Sequence, residues 1–379
     1  MVTEAVKPQA LGPRIRLGSR DVPVVLPKLN DPRLRLALVI SSLQVLGQVA
    51  FGFKVSIAQI LISLGACAVV EMAIFYRQQR VIMWPASALL TGNSVAFILR
   101  VNGTQHGDWW SLNGIWFFIA AALIGLLSKY VITFGKRHLY NPSNLGLVVV
   151  LLVAGAANVF PQYLWWGPMN PAVIFALVLI VGGGLWILRP LNMLPMVAAF
   201  LVTFFLLVGL LARTGHCFYA VWHSGPVCGT DYWLNICGSP ELLVFVFFMI
   251  SDPRTAPTSA NARIAYGVGI AALAALLILP QPSEFGIKVA LLAALTAVCT
   301  FVPLMDSIAG RIANKAEGKR TKMGLRFGAT LVASVLLTVA VPAGVLTLAS
   351  DPLVRAIDLA GSPAGPPSPG VTPTHVPKQ

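Results

Sequence analysis

Eleven apolar runs follow one another along this 379-residue chain, at about 34–52, 55–76, 82–100, 113–133, 143–160, 171–188, 193–212, 240–250, 264–280, 286–306 and 325–350. Most have the roughly 17–25 residues that carry an α-helix across a bilayer. The eighth is short, and flanking residues are expected to lengthen it. Only helices and closed β-barrels satisfy their own backbone inside hydrocarbon, and the period-two alternation of barrel strands is absent. Charged residues make up 11% of the chain, against about 25% in soluble domains. The runs therefore predict an all-α polytopic membrane protein. A basic tail covers 1–33, the membrane domain 34–310, an additional transmembrane helix 325–350, and a Pro/Gly-rich outer tail 351–379.

The formal net charge of +14 would suit a nucleic-acid binder, but it is sorted by side. Threading the runs from a cytoplasmic N-terminus puts 21 of 27 Lys and Arg on the inner face. They lie in 1–35, 77–80, 129–137 and 311–326 and at Arg189, Arg254 and Arg263. Six stay outside: Lys54, Arg100, Arg213, Lys288, Arg355 and Lys378. This is the positive-inside signature of topology, and nucleic acid is not an expected partner. Residues 1–33 lack the apolar core of a cleavable signal peptide. The expected location is the bacterial inner membrane, multi-pass, with the N-terminus cytoplasmic.

The eighth run ends abruptly in Ser251-Asp252-Pro253-Arg254. Proline removes an N–H and disfavours helix at the residue before it, so the helix must break there. An acid at membrane depth is costly and usually has a partner and a task. A second pattern links Asn141-Pro142-Ser143-Asn144-Leu145-Gly146, opening the fifth run, to Gln281-Pro282-Ser283-Glu284-Phe285-Gly286, opening the tenth. Five spans separate them, so one starts inside and the other outside. That predicts about ten core helices in two inverted five-helix repeats, plus one extra C-terminal helix. The third helix of each half then carries an interruption, at Thr91-Gly92-Asn93-Ser94 and at Ser251-Asp252-Pro253. The two breaks are expected to face each other across the centre, with Asn141 and Gln281 at opposite ends of the bundle.

Individual side chains have more than one reading. Asp252 and Arg254 either orient a ligand or relay a proton, or simply pair at a helix end. Glu71 is a proton or cation site, or a partner of Arg77 or Arg80; Asp306 is another, or pairs with Arg311 and Lys315. The Asn141 amide can bond a flavin edge or cap the helix that follows. Cys217, Cys228 and Cys237 share one outside loop, which predicts a single disulfide and a spare thiol rather than a metal site with His216, His223 and Asp231. No dinucleotide fingerprint, P-loop or zinc-protease motif occurs, and no histidine joins Ser251 in a triad, so no catalytic residue is assigned.

Five segments, in order, resemble the RnfD/NqrB family of integral-membrane flavin subunits of redox complexes. They are Glu71 before a basic loop; Ser87-Ala88-Leu89-Leu90-Thr91-Gly92; Lys136-Arg137-His138-Leu139-Tyr140-Asn141-Pro142; Phe248 to Pro257; and Val302-Pro303-Leu304-Met305-Asp306. The extra helix and Pro-rich tail depart from the pattern and are similar to the branch encoded beside enediyne-type biosynthetic genes. The resemblance implies an electron-transport subunit, bound to other subunits of a membrane redox complex and possessing flavin (FMN or riboflavin) or quinone, with cation transport as a coupled activity. In that family a threonine after the fifth helix carries FMN by a phosphoester. Here no Ser or Thr lies between Asn144 and Val202, so no oxygen is available there and any flavin is expected to be non-covalent. The implied cofactor set is Thr91, Gly92, Asn93, Asn141, Pro142, Ser251, Asp252 and Arg254, with Trp165 and Trp166 either stacking on the ring or marking the membrane interface. A transporter or channel with a midplane solute site and no redox cofactor is the alternative.

Overall fold

The structure, a computed structural model, describes residues 13–17, 20–28, 31–135, 137–163, 169–316 and 329–350. Among the described residues six helices are long and apolar enough to cross a membrane: α1 (Pro32–Ala50), α2 (Ile57–Gln79), α6 (Pro171–Leu188), α7 (Leu194–Arg213), the pair α8 (Gly229–Cys237) and α9 (Pro240–Val244) continued to Met249, and α10 (Ala260–Ile278). A bent pair, α11 (Glu284–Cys299) and α12 (Val302–Ala316), turns by 46° at Thr300-Phe301. Shorter apolar helices are α3 (Ala86–Ile98), α4 (Ile115–Val131), α5 (Pro142–Ala154) and the Leu336–Leu348 part of α13 (Ala329–Leu348). Together they occupy the places of the eleven runs. Helix starts follow local chemistry. Asp31, Ser56, Asn141, Asn170, Ser239, Ser259 and Ser283 each accept a backbone N–H of the first turn, and a proline often follows.

Two runs are not helical throughout. After α3 the chain extends as β4 (Leu99–Val101), and after α5 as β7 (Val159–Pro161); the two strands pair antiparallel and are buried. Thirteen helical residues rise about 20 Å, and three extended ones add about 10 Å, together near the bilayer's hydrocarbon thickness. Such backbone is tolerated at depth because each strand satisfies the other inside protein. The eighth run has its own irregularity. Phe245–Met249 winds as a π-turn, and the helix ends at Ser251-Asp252.

The third helix, by contrast, is not interrupted at Thr91-Gly92-Asn93-Ser94. α3 runs through these residues, and its helical geometry stops only at Leu99. Small and polar residues there serve packing: a side chain on Gly92 would run into the Ser63 backbone of α2. α4 and α5 approach in the same way, with Gly125 against the Pro142 carbonyl and Gly146 against the Ala121 carbonyl.

The N-terminal region is more ordered than a tail over 14–25. β1 (Arg14–Leu17) and β2 (Arg20–Val25) form a hairpin, and β2 pairs in parallel with β3 (Ile82–Met83) in the connection between α2 and α3. A short hairpin, β5 (Thr133–Phe134) and β6 (Arg137–His138), joins α4 to α5. Another, β8 (Cys217–Tyr219) and β9 (Pro226–Cys228), carries the disulfide Cys217–Cys228, while Cys237 keeps a buried free thiol. α11 lies at the centre, packed on α5, α10 and α13. It runs antiparallel to α5: Asn144 near the start of α5 meets Thr296 near the end of α11, and Phe160 beyond α5 meets Phe285 at the start of α11.

Candidate functional site

At the end of the bundle where α5 begins, two ionic clusters, one buried and one half-buried, gather the motif segments. In the first, Glu71 of α2 accepts the Ala88 backbone N–H (3.1 Å), the Tyr130 hydroxyl (3.1 Å) and the Lys129 ammonium (3.1 Å). Lys129 also donates to Ser87 Oγ at 2.9 Å. Both charged side chains are under 10% exposed, so the pair is held in protein rather than water. Lys129, on α4, therefore takes the place expected of Arg77 or Arg80. Sequence distance hid it, because 58 residues separate the partners.

The second cluster joins β6, the start of α5, the break after the eighth run and α12. His138 Nε2 lies 3.5 Å from Asp252 Oδ2, and Asp252 Oδ1 accepts the Arg254 backbone N–H at 2.9 Å. Burial by itself would raise the Asp252 carboxyl, but the His138 hydrogen bond and charge, with the Arg254 contact, hold it below the ordinary carboxylate range. His138 was invisible as a partner in sequence because it stands 114 residues away. Asp306 binds Arg137 (2.7 Å) and accepts the Thr258 backbone N–H and hydroxyl (2.8 and 2.9 Å), a tie between separate elements. The Lys315 side chain lies outside the described residues.

Asn141 performs two tasks at once. Its carbonyl oxygen caps α5 through the Asn144 N–H (3.2 Å), and its amide donates at 3.2 Å to the Met249 carbonyl, whose helical donor four residues on would be Pro253, which has no N–H. Thr91 and Asn93 are spent within the first half: Thr91 donates to the Ser87 carbonyl (3.0 Å) and Asn93 to Ser41 (3.3 Å). No hydrogen bond joins them to Ser251, Asp252 or Pro253 among the described residues; Ser251 Oγ bonds the Phe247 carbonyl of its own helix. The start of α5 stands between the two groups, since Thr91 and Pro142 both flank Gly125 while Asn141 reaches Met249. Trp165 and Trp166 lie outside the described residues.

Sequence reading missed the opposite end of the bundle. There Lys288 of α11 is gripped by Glu241 of α9 (2.6 Å) and Glu284 (2.7 Å), and the Trp222 indole N–H donates to Glu284 at 3.1 Å. Lys288 (4.9 Å) and Arg100 (3.9 Å from guanidinium carbon to ring centroid) both approach the Tyr163 ring. Arg100 is 4% exposed. Two cations and two carboxylates thus balance around one aromatic ring. Beside them a cavity of about 90 Å³ opens, with Lys288, Glu241 and Gln162 on its polar wall and Phe245, Met249 and Leu292 on its apolar floor. The Gln162 side-chain oxygen is buried without a partner. A signal was present: Glu284 and Lys288 stand four apart at the head of an apolar run, where charges are costly unless they meet.

Among the described residues no group of His, Cys, Asp and Glu could hold a metal ion. No family model matches the chain, and no curated protein matches it.

Proposed function

We propose that this chain is a membrane subunit of an electron-transport complex of the RnfD/NqrB type, built as two inverted five-helix repeats with an extra C-terminal helix. Its N-terminus and the Asn141 end of the bundle face the cytoplasm. One observation carries the proposal: the five segments on which the resemblance rests, spread from Glu71 to Asp306, meet in two ionic clusters at one end of the molecule, the Glu71 cluster buried and the Asp252–Asp306 cluster half-buried. Scattered motifs that converge in space act as a unit. Thr91, Asn93, Asn141, Ser251 and Asp252 each have protein partners, so a flavin or quinone in this proposal sits against an outer face shared with another subunit, held without a covalent bond. Visible absorption of the protein purified with its partner subunits tests this. Flavin that acid precipitation releases to the supernatant is the expected result. A colourless complex overturns the redox function, and fluorescence that stays with the polypeptide on a denaturing gel overturns the non-covalent link.

A second function, transport of a small ion or solute without a redox cofactor, draws support from the cavity beside Lys288. Ionisable residues at membrane depth that line a cavity mark ion and proton pathways.

A further inference from the structure

The cavity beside Lys288 is mostly aromatic and aliphatic, yet two polar groups on it have capacity to spare. Gln162 is fixed by its backbone. Its N–H donates to the Ile98 carbonyl, extending the β4–β7 pairing by one residue, and both residues line the cavity. The Gln162 side chain is 4% exposed, and its oxygen Oε1 has no hydrogen-bond partner. A buried acceptor left unpaired is costly, so this position calls for a donor that the described residues do not supply. Lys288 lines the same cavity, and an ammonium has three donors. Glu241 and Glu284, at 2.6 and 2.7 Å, take at most two of them.

Neighbouring polar groups have partners of their own. Glu284 gives its second oxygen to the Trp222 indole N–H (3.1 Å). Ser239 Oγ accepts the Leu242 N–H and donates to the Ile236 carbonyl, both at 3.2 Å, and the Asn235 amide donates to the Asp231 carbonyl at 2.7 Å. The rest of the wall is apolar. Phe204 stacks on Phe200 (5.3 Å between ring centroids), which in turn meets Phe245 (5.8 Å). Phe218 joins the wall from the disulfide-closed hairpin, which is pinned to the head of α11 through Tyr219 and Trp222. Trp222, 42% exposed, is the most open of the aromatic lining residues and marks the mouth.

Charge and surface narrow the ligand. Lys288 and Arg100 balance Glu241 and Glu284, so an ionised ligand would leave water and find no uncompensated counter-charge. Water can meet Gln162 and Lys288, but the aromatic wall gains only from an apolar body. A single hydroxyl performs both polar tasks, because its oxygen accepts while its hydrogen donates. We propose that the cavity is a binding site for a small uncharged phenol. The phenol oxygen accepts the third Lys288 hydrogen, and its O–H donates to Gln162 Oε1. Its ring packs among Phe204, Phe218 and Phe245, where offset and edge-to-face contacts suit it. The assignment concerns binding at this end of the molecule. It requires neither electron transfer nor passage of an ion or solute through the bundle.

The test uses the full chain in lipid nanodiscs and titration calorimetry, with empty nanodiscs subtracted to remove partition into lipid. Para-ethylphenol should bind saturably. Para-ethylanisole, whose methyl ether accepts but cannot donate, should bind about tenfold more weakly, because it leaves the Gln162 oxygen unpaired. Gln162→Leu removes that acceptor, so it should weaken the phenol about tenfold and erase its preference over the ether. Leu291→Trp fills the cavity from a half-buried lining position and should abolish binding of both compounds. Should Gln162→Leu fail to fold, Leu291→Trp decides the location. Heat from para-ethylphenol no greater than in empty nanodiscs overturns the site. Equal affinity for phenol and ether in the parent chain overturns the hydroxyl recognition, and undiminished binding in Leu291→Trp overturns the placement in this cavity.

Discussion

Single residues in this protein are defined by partners far away in sequence. Glu71 illustrates the energetics. Taking a carboxylate out of water is costly, and removing only its partner leaves the charge uncompensated, at about 3–5 kcal/mol. Lys129→Ala should therefore lower stability by about that amount, whereas Glu71→Leu with Lys129→Met together should lose less than the sum of the two single variants, because the charge and its counter-charge leave as a unit while the Ala88 N–H and Tyr130 hydroxyl lose their acceptor. Thermal unfolding of the detergent-solubilised protein measures both. A double-variant loss equal to that sum would contradict a pair compensated by protein alone. Asp252 follows the same logic at the break of the eighth run: proline ends the helix, the carboxylate receives the exposed Arg254 N–H, and His138 comes from another element to meet it.

At the scale of elements, close approach decides which helices meet. α4 and α5 touch backbone to backbone because Gly125 and Gly146 have no side chain at the contact. Small residues at such crossings are the means of association when hydrocarbon offers no hydrophobic drive between helices. A methyl at position 146 would strike the Ala121 carbonyl, so Gly146→Ala should destabilise by about 1–3 kcal/mol, the usual cost of overpacking. It should also loosen the capped start of α5, which a melting curve and a gel-filtration profile would register together. Gly65, with open space around it, is the control site, and Gly65→Ala should be tolerated. The two half-helical crossings add a second rule. Where α3 and α5 stop short, β4 and β7 complete the span only because they pair with one another.

For the whole molecule, orientation links topology to function. With the N-terminus inside, the β8–β9 hairpin and its disulfide lie on the outer face. A membrane-impermeant maleimide added from outside, after mild reduction, should label Cys217 or Cys228. Cys237, 5% exposed, should react only after unfolding. Labelling of the hairpin solely from the cytoplasmic side would reverse the proposed topology. The hairpin also rests on the head of α11, where the Tyr219 N–H donates to the Pro282 carbonyl at 2.8 Å. Reduction therefore acts next to the Lys288 cluster.

Hydropathy by itself located the apolar segments, because a bilayer demands length and the sequence must supply it residue by residue. Local chemistry also marked the helix starts at Asn141-Pro142 and Gln281-Pro282-Ser283 and the break at Asp252, since caps and prolines act within a few residues. Interruption of the third helix at Thr91-Gly92-Asn93 was read wrongly for an instructive reason. Gly92 answers to the neighbouring helix across the Ser63 contact, and Thr91 returns its hydroxyl to the Ser87 carbonyl of its own helix, so neither breaks the backbone. Partner choice was decided only by the tertiary structure. Lys129 for Glu71, His138 for Asp252, Arg137 for Asp306 and the Glu241–Lys288–Glu284 cluster all join elements far apart in the chain. Coulomb attraction and desolvation depend on distance in space, and a sequence with many basic residues near each acid carries no record of which one folding brings within 3 Å.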